Sequence, residues 1–223
     1  MKNQSALSAT GDDRTSARAQ KAAVRRAQLL QAARKVVFER GLDRTRIADV
    51  AAEAGGSQGL AHYHFESKEA LLAEMLRVAV DEDIERARQI VEGEGTVAQR
   101  LDRLLRLALP IASDDQSWML WIDMWGSSLR NDDMATAAES LDIAWTELVR
   151  TLLQEGVESA VLTCIDPQAS ADRLMGLVSG LSLRLITSRA RFQRTYVLRL
   201  VRTAAALELG LEWSDYQRLI QKD

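Results

Sequence analysis

TRIADVAAEAGGSQGLAHYHFESKEALL, residues 45–72, holds three helix starts and one tight turn. Ile47, Val50 and Ala51 are three and four residues apart, which makes them the inner face of a short helix over 46–54. Thr45 stands in the capping position before it. Gly55-Gly56 supplies a turn, because glycine reaches backbone angles closed to other residues. Ser57 then caps a second short helix over 57–64, and Ser67 opens a third. Upstream, Val24, Leu29, Ala32, Ala33, Val36 and Val37 form one apolar stripe, predicting a helix over 20–40 that Gly41 stops. An apolar brace ahead of two short helices joined by a glycine turn is a helix-turn-helix.

The second short helix is poor in core residues and rich in groups that reach nucleic acid. The Gln58 amide can bond adenine bidentately, Gly59 lets the backbone approach, and Leu60 can touch a thymine methyl group. His62, Tyr63, His64 and Lys68 are donors suited to phosphate oxygens. Lys68 sits in the first turn of the next helix, where free N–H groups also favour an anion. Residues 14–46 carry ten Arg or Lys against two acids, Glu39 and Asp43, while the whole chain has a net charge of −3. A basic head on an acidic body points to a local polyanion contact.

This stretch resembles the DNA-binding head of the TetR (tetracycline-repressor-like) regulators over roughly residues 24–76. The glycine turn, the run Tyr63-His64-Phe65 and Lys68 carry the resemblance. It departs at Gly56, where an apolar residue is usual, a change expected to loosen the turn. The resemblance implies phosphate contacts from Thr45, Tyr63, His64 and Lys68, and base contacts from Gln58, Gly59, Leu60 and His62. Arg46 and Ser57 join the same candidate face. The implied partner is a double-stranded DNA operator, read by a homodimer that responds to a small-molecule effector.

Downstream, caps, Pro110 and Gly210 divide the chain into helices over about 67–92, 96–111, 114–130, 132–158, 166–188 and 193–209, with a short tail over 214–221. The fold class is therefore all-α with about nine helices. It divides into a disordered tail at 1–19, a three-helix head at 20–70 and an effector-binding and dimerisation body at 71–223. The body segment around Trp118, Trp121 and Trp125 resembles the betaine-regulator-like branch of the family. Those tryptophans share one helical stripe, with Trp145 on the next helix. Two roles stay open for them: core packing, or the wall of an effector pocket with Met119, Met124, Met175 and Asp123 or Arg184.

The pair of helices with Leu174, Leu177 and Leu181, and with Leu198, Val201 and Ala205, also admits two roles. The resemblance implies a four-helix interface with a second copy, and packing within one subunit would use the same residues.

Other classes fit less well. A hydrolase or transferase would need a nucleophile beside a base, a carboxylate pair or a phosphate loop. Both histidines, His62 and His64, lie in the short helix, two residues apart and on different sides, which is not the spacing of a metal pair. No metal and no cofactor is expected. One cysteine, Cys164, forbids an internal disulfide and suits a reducing cytoplasm. No apolar run approaches the roughly 20 residues of a membrane helix, and the polar residues 1–13 lack the apolar segment of a signal peptide. A helical interaction module without DNA binding is the remaining rival, and the basic run argues against it.

Overall fold

A computed structural model describes the backbone at residues 6–160, 162–188 and 190–221, and side chains from residue 17 onward within those ranges except residue 133. The described residues form ten helices and no strand: α1 Ala6–Arg40, α2 Ile47–Glu53, α3 Gln58–His64, α4 Lys68–Val91, α5 Val97–Leu107, α6 Gln116–Ser128, α7 Asp132–Glu158, α8 Pro167–Thr187, α9 Arg194–Glu208 and α10 Trp213–Gln221. The chain divides into two compact units, 1–76 and 77–223.

In the first unit, α1 and α2 pack together and α2 packs on α3. Leu29, Ala33, Val36 and Val37 of α1 meet a core shared by Val50, Ala51, Ala61, Phe65, Leu71 and Met75, all buried. Val24, placed in that stripe by its spacing, is exposed. Gly41 takes a positive φ of 80° and donates to Val37 O at 2.7 Å, which ends α1.

Two expectations for this unit are corrected. Residues 6–19, expected as a disordered tail, continue α1, while residues 1–5 lie outside those described. The reason is propagation: the stretch has weak helix formers such as Gly11, Asp12 and Asp13, but no proline, and a helix nucleated downstream adds one bond for each residue it fixes. The division also falls after Leu76 and not after residue 70, because Leu71, Leu72, Met75 and Leu76 bury the first turns of α4 in the first unit.

In the second unit, α7 packs on α5, α6 and α8, α8 packs on α9, and α10 covers α5 and α9. Helix starts follow their caps. Thr96 and Gln99 form a reciprocal capping box, and the Asp166 carboxylate accepts from Ala169 N at 3.0 Å with Pro167 in the first turn. α5 ends before Pro110, which cannot continue a helix.

A charged pair with a buried carboxylate lies inside this unit. The Arg202 guanidinium donates to both oxygens of buried Asp102 at 2.7 Å, tying α9 to α5. Tyr216 of α10 is fully buried beside them, and burial, with the Asp102 carboxylate adding to it, pushes its phenol well above the usual range. Removing one partner strands the other away from water. Asp102→Ala is expected to cost about 3 kcal/mol in urea unfolding, and Asp102→Ala/Arg202→Met less than that single change.

Candidate functional site

The head presents α3 by burying only one of its residues, Ala61. Gln58, Gly59, His62 and Tyr63 follow a one, three, four pattern and share the exposed face, with Tyr63 74% exposed. Leu60 and His64 flank that face half-buried. The Ser57 hydroxyl accepts from Leu60 N at 3.3 Å and fixes the start of the helix. Gln58 Nε2 and His62 Nε2 lie 3.4 Å apart one turn along, so each restricts the other's side-chain freedom. Lys68 stands at the start of α4, its Nζ donating to Asp43 O at 3.0 Å. Arg44 and Arg46 are exposed in the α1–α2 connection.

Thr45 is corrected. It is 1% exposed, and its hydroxyl donates back to Gly41 O at 2.8 Å. Arg46, not Thr45, is the residue before α2, and it makes no side-chain cap. With its hydroxyl turned inward, Thr45 braces the α1–α2 connection, while its neighbours Arg44 and Arg46 stay exposed.

The α2–α3 turn is not loosened by Gly56. Gly55 takes φ 65° and donates to Ala52 O at 3.0 Å, and Gly56 donates to Ala51 O at 2.8 Å. A Cβ on Gly56 would collide with the end of the Arg25 side chain, so the guanidinium of α1 fills the place of the missing side chain.

Arg26 is the structural centre of the head. Its Nε donates to Glu74 Oε1 at 2.8 Å, its Nη2 to the other carboxylate oxygen, and its Nη1 to His64 O at 2.5 Å. Its guanidinium also lies 4.3 Å from the centre of the Phe65 ring. These bonds join α1 to the end of α3 and to α4. Lys35 pairs with Glu53 and Arg40 with Asp49, which neutralises the acids of α2.

The second unit holds a cavity of about 190 Å³ walled by Trp118, Trp121, Trp125, Trp145 and Met175. The rings of Trp118 and Trp121 each lie 5.9 Å from that of Trp125, and Trp118 Nε1 donates to Ala108 O at 3.2 Å. Five of the nine expected pocket residues are therefore brought together, and Met119, Asp123, Met124 and Arg184 do not line the cavity. Met124 is fully buried off the cavity, about 100° around α6 from Trp125. Arg184 is exposed, 5.4 Å over Phe192, on a different side of α8 from Met175, Val178 and Ser179.

The charged part of the cavity was not foreseen. Asp83, Asp115 and Asp142 reach it with a single guanidinium, Arg86. Arg86 pairs with Asp83. The Asp115 carboxylate accepts from the backbone of Ile111, Ser117 and Trp118. Asp142 is exposed and, among the described residues, has no ion-pair partner. Its place three residues before Trp145 was the one available signal, since that spacing shares a helix face.

The expected interface residues also need correction. Leu174, Leu181, Val201 and Ala205 are buried within the single subunit and are core. Leu177 and Leu198 keep partial exposure. The outer side of α8 and α9 instead shows Leu183 and Leu207, 41% and 74% exposed, with open space over Gly176 and Gly180.

Residues 29–75 match the family model for bacterial regulatory proteins of the tetR family, and residues 97–210 match the C-terminal model of the BetI-type transcriptional repressor. The chain is 39% identical over 80 residues to the HTH-type transcriptional repressor KstR2 of Mycobacterium tuberculosis, a stretch covering 36% of this chain and only 40% of that relative's length. It is 24% identical over 162 residues to the HTH-type transcriptional regulator BetI of Rhizobium meliloti, covering 72% of this chain and 77% of that one. A protein from Saccharomonospora viridis crystallised in complex with choline matches with a TM-score of 0.73 at 26% identity, over 79% of this chain and 92% of that one.

Arg26→Ala is expected to lower the stability of the head by about 2 kcal/mol, because it removes charge-assisted bonds to a carboxylate and a carbonyl together. Lys21→Ala, on the exposed side of α1, should stay within about 0.5 kcal/mol. Hydrogen exchange of α3 and α4 amides reads the difference directly.

Proposed function

The chain belongs to the TetR family of bacterial regulators, with a BetI-type C-terminal part, and on that premise we propose that it is a cytoplasmic, homodimeric repressor released from a palindromic operator by an organic cation. The observation that carries the DNA reading is the exposed face of α3, flanked by Lys68 and held by the Arg26 bonds. Gln58 reads a base, held in place by His62. Gly59 permits the close approach, and Leu60 meets a thymine methyl group. Ser57, Tyr63, His64, Lys68 and Arg46 contact phosphates and set the register.

Two copies meet through the outer sides of α8 and α9, where Leu183 and Leu207 are exposed and Gly176 and Gly180 allow close approach. Two heads then read half-sites about 34–36 Å apart. No described helix is long and apolar enough to cross a membrane.

The effector class follows from the cavity. Indole faces attract cations, and three carboxylates against one guanidinium make the wall negative. The crystallised relative that holds choline supports the same class. α4 carries Lys68 in one unit and Asp83 and Arg86 at the cavity of the other. A cation that binds one arrangement of this helix more tightly shifts the population toward it, and DNA affinity changes by the same factor.

The reading is tested by fluorescence anisotropy on the promoter fragment beside the protein's own gene, at several salt concentrations. Tight, sequence-preferring binding of two chains per site with a steep salt slope is expected. Weak binding, equal on every duplex, would overturn it. Gln58→Ala should cost about 1–3 kcal/mol and relax one base position, and an unchanged preferred sequence would remove Gln58 from base reading. Choline should quench the tryptophan fluorescence and release the operator. Its uncharged isostere, with carbon in place of the quaternary nitrogen, should bind about 2- to 30-fold more weakly, the range of a cation–π contribution. Equal affinity for the two would rule out the cation reading.

A further inference from the structure

The head carries more positive charge than α3 and its flanks use. Between Asp13 and Glu39 the sequence has no acidic residue. Within this run Arg26 and Lys35 are committed to Glu74 and Glu53. Of the others, Arg18, Lys21 and Arg25 are spaced by three and four, and so share one face of α1. Arg18 and Lys21 are exposed and, among the described residues, have no ion-pair partner.

Arg25 anchors this face beside the turn that starts α3. Its Nη1 donates to Gln28 Oε1 at 2.9 Å, its Nη2 lies where a side chain on Gly56 would stand, and its Nε is buried without a partner. The basic stripe therefore begins at the α2–α3 turn. Arg18, seven residues earlier, lies about 10 Å farther along α1. That length of duplex carries several phosphate charges, at about one per 1.7 Å of axis. A membrane surface would need an apolar face beside the charges, and residues 15–23 contain no large apolar side chain.

We infer that Arg18, Lys21 and Arg25 form a second, sequence-independent DNA surface, which grips the phosphate backbone outside the bases read by α3. This rests on the DNA reading above and adds to it a grip on flanking duplex. All three residues lie within α1, which runs back to Ala6.

The test uses the full chain, an operator selected from random duplexes, and two lengths of it: one trimmed to the bases α3 reads, one with flanking sequence. Binding is measured across a salt gradient for the wild type, Arg18→Ala/Lys21→Ala and Arg18→Lys. On the long duplex the double variant should lose about two from the slope of log affinity against log salt per head, at about 0.9 per phosphate contact. On the trimmed duplex it should match the wild type. Preference among mutated operators should not change, and Arg18→Lys should keep the wild-type slope. A double variant with the wild-type slope on the long duplex would overturn the inference, as would wild-type slopes that are equal on both duplexes. Failure of the wild type to bind any duplex would instead remove the DNA reading itself, and the stripe with it.

Discussion

The Arg26 guanidinium is the contact on which the head depends. One planar group bonds the Glu74 carboxylate on α4, the carbonyl of His64 at the end of α3 and the face of Phe65. A lysine could not do this, since its point charge lacks the fork that satisfies a carboxylate and a carbonyl together. α3 has two turns and buries a single alanine. A helix so short has little stability of its own. Its position comes from the Ser57 cap at one end and from Arg26 at the other. The side chains facing outward are then free of any structural duty, and can be chosen for what they touch.

How much of this was legible in the sequence depended on whether the signal was local. The helix-turn-helix was, because caps, glycines and apolar spacing lie within a few residues of what they control. Thr45 shows the limit: its hydroxyl turns back to Gly41 O, and no pattern distinguishes that from a forward cap. The start of α1 was missed because a helix that is merely being extended needs no apolar stripe. Apolar periodicity also misdirected the choice of interface residues. It marks the most buried face, so Leu174, Val201 and Ala205 stood out and proved to be core. The outer side of these helices carries no such stripe, only glycines and isolated leucines such as Leu183 and Leu207.

The tryptophans divide between core and cavity wall. Trp145 is buried, while Trp118, Trp121 and Trp125 stay half-exposed around a cavity. The carboxylates at that cavity differ in availability. Asp115 is saturated by three backbone N–H groups and Asp83 by Arg86, which leaves Asp142 as the least committed negative group. Aromatic faces and one free carboxylate ask little of a ligand's shape and much of its charge. Selectivity built this way separates cation from neutral isostere better than one cation from another.

Charge is divided within the head by the same logic. The run from Arg14 to Arg46 looks uniform in sequence, but its members do two jobs. Arg26, Lys35 and Arg40 face carboxylates on α4 and α2 and hold helices together. Arg18, Lys21, Arg44 and Arg46 face water. The paired set offsets Glu74, Glu53 and Asp49, so the charge of the unpaired set stays available to a polyanion. A chain with a net charge of −3 can therefore approach DNA, provided the approach is head first. The acidic remainder repels the same phosphates, which disfavours other orientations and turns a modest number of arginines into a directional contact.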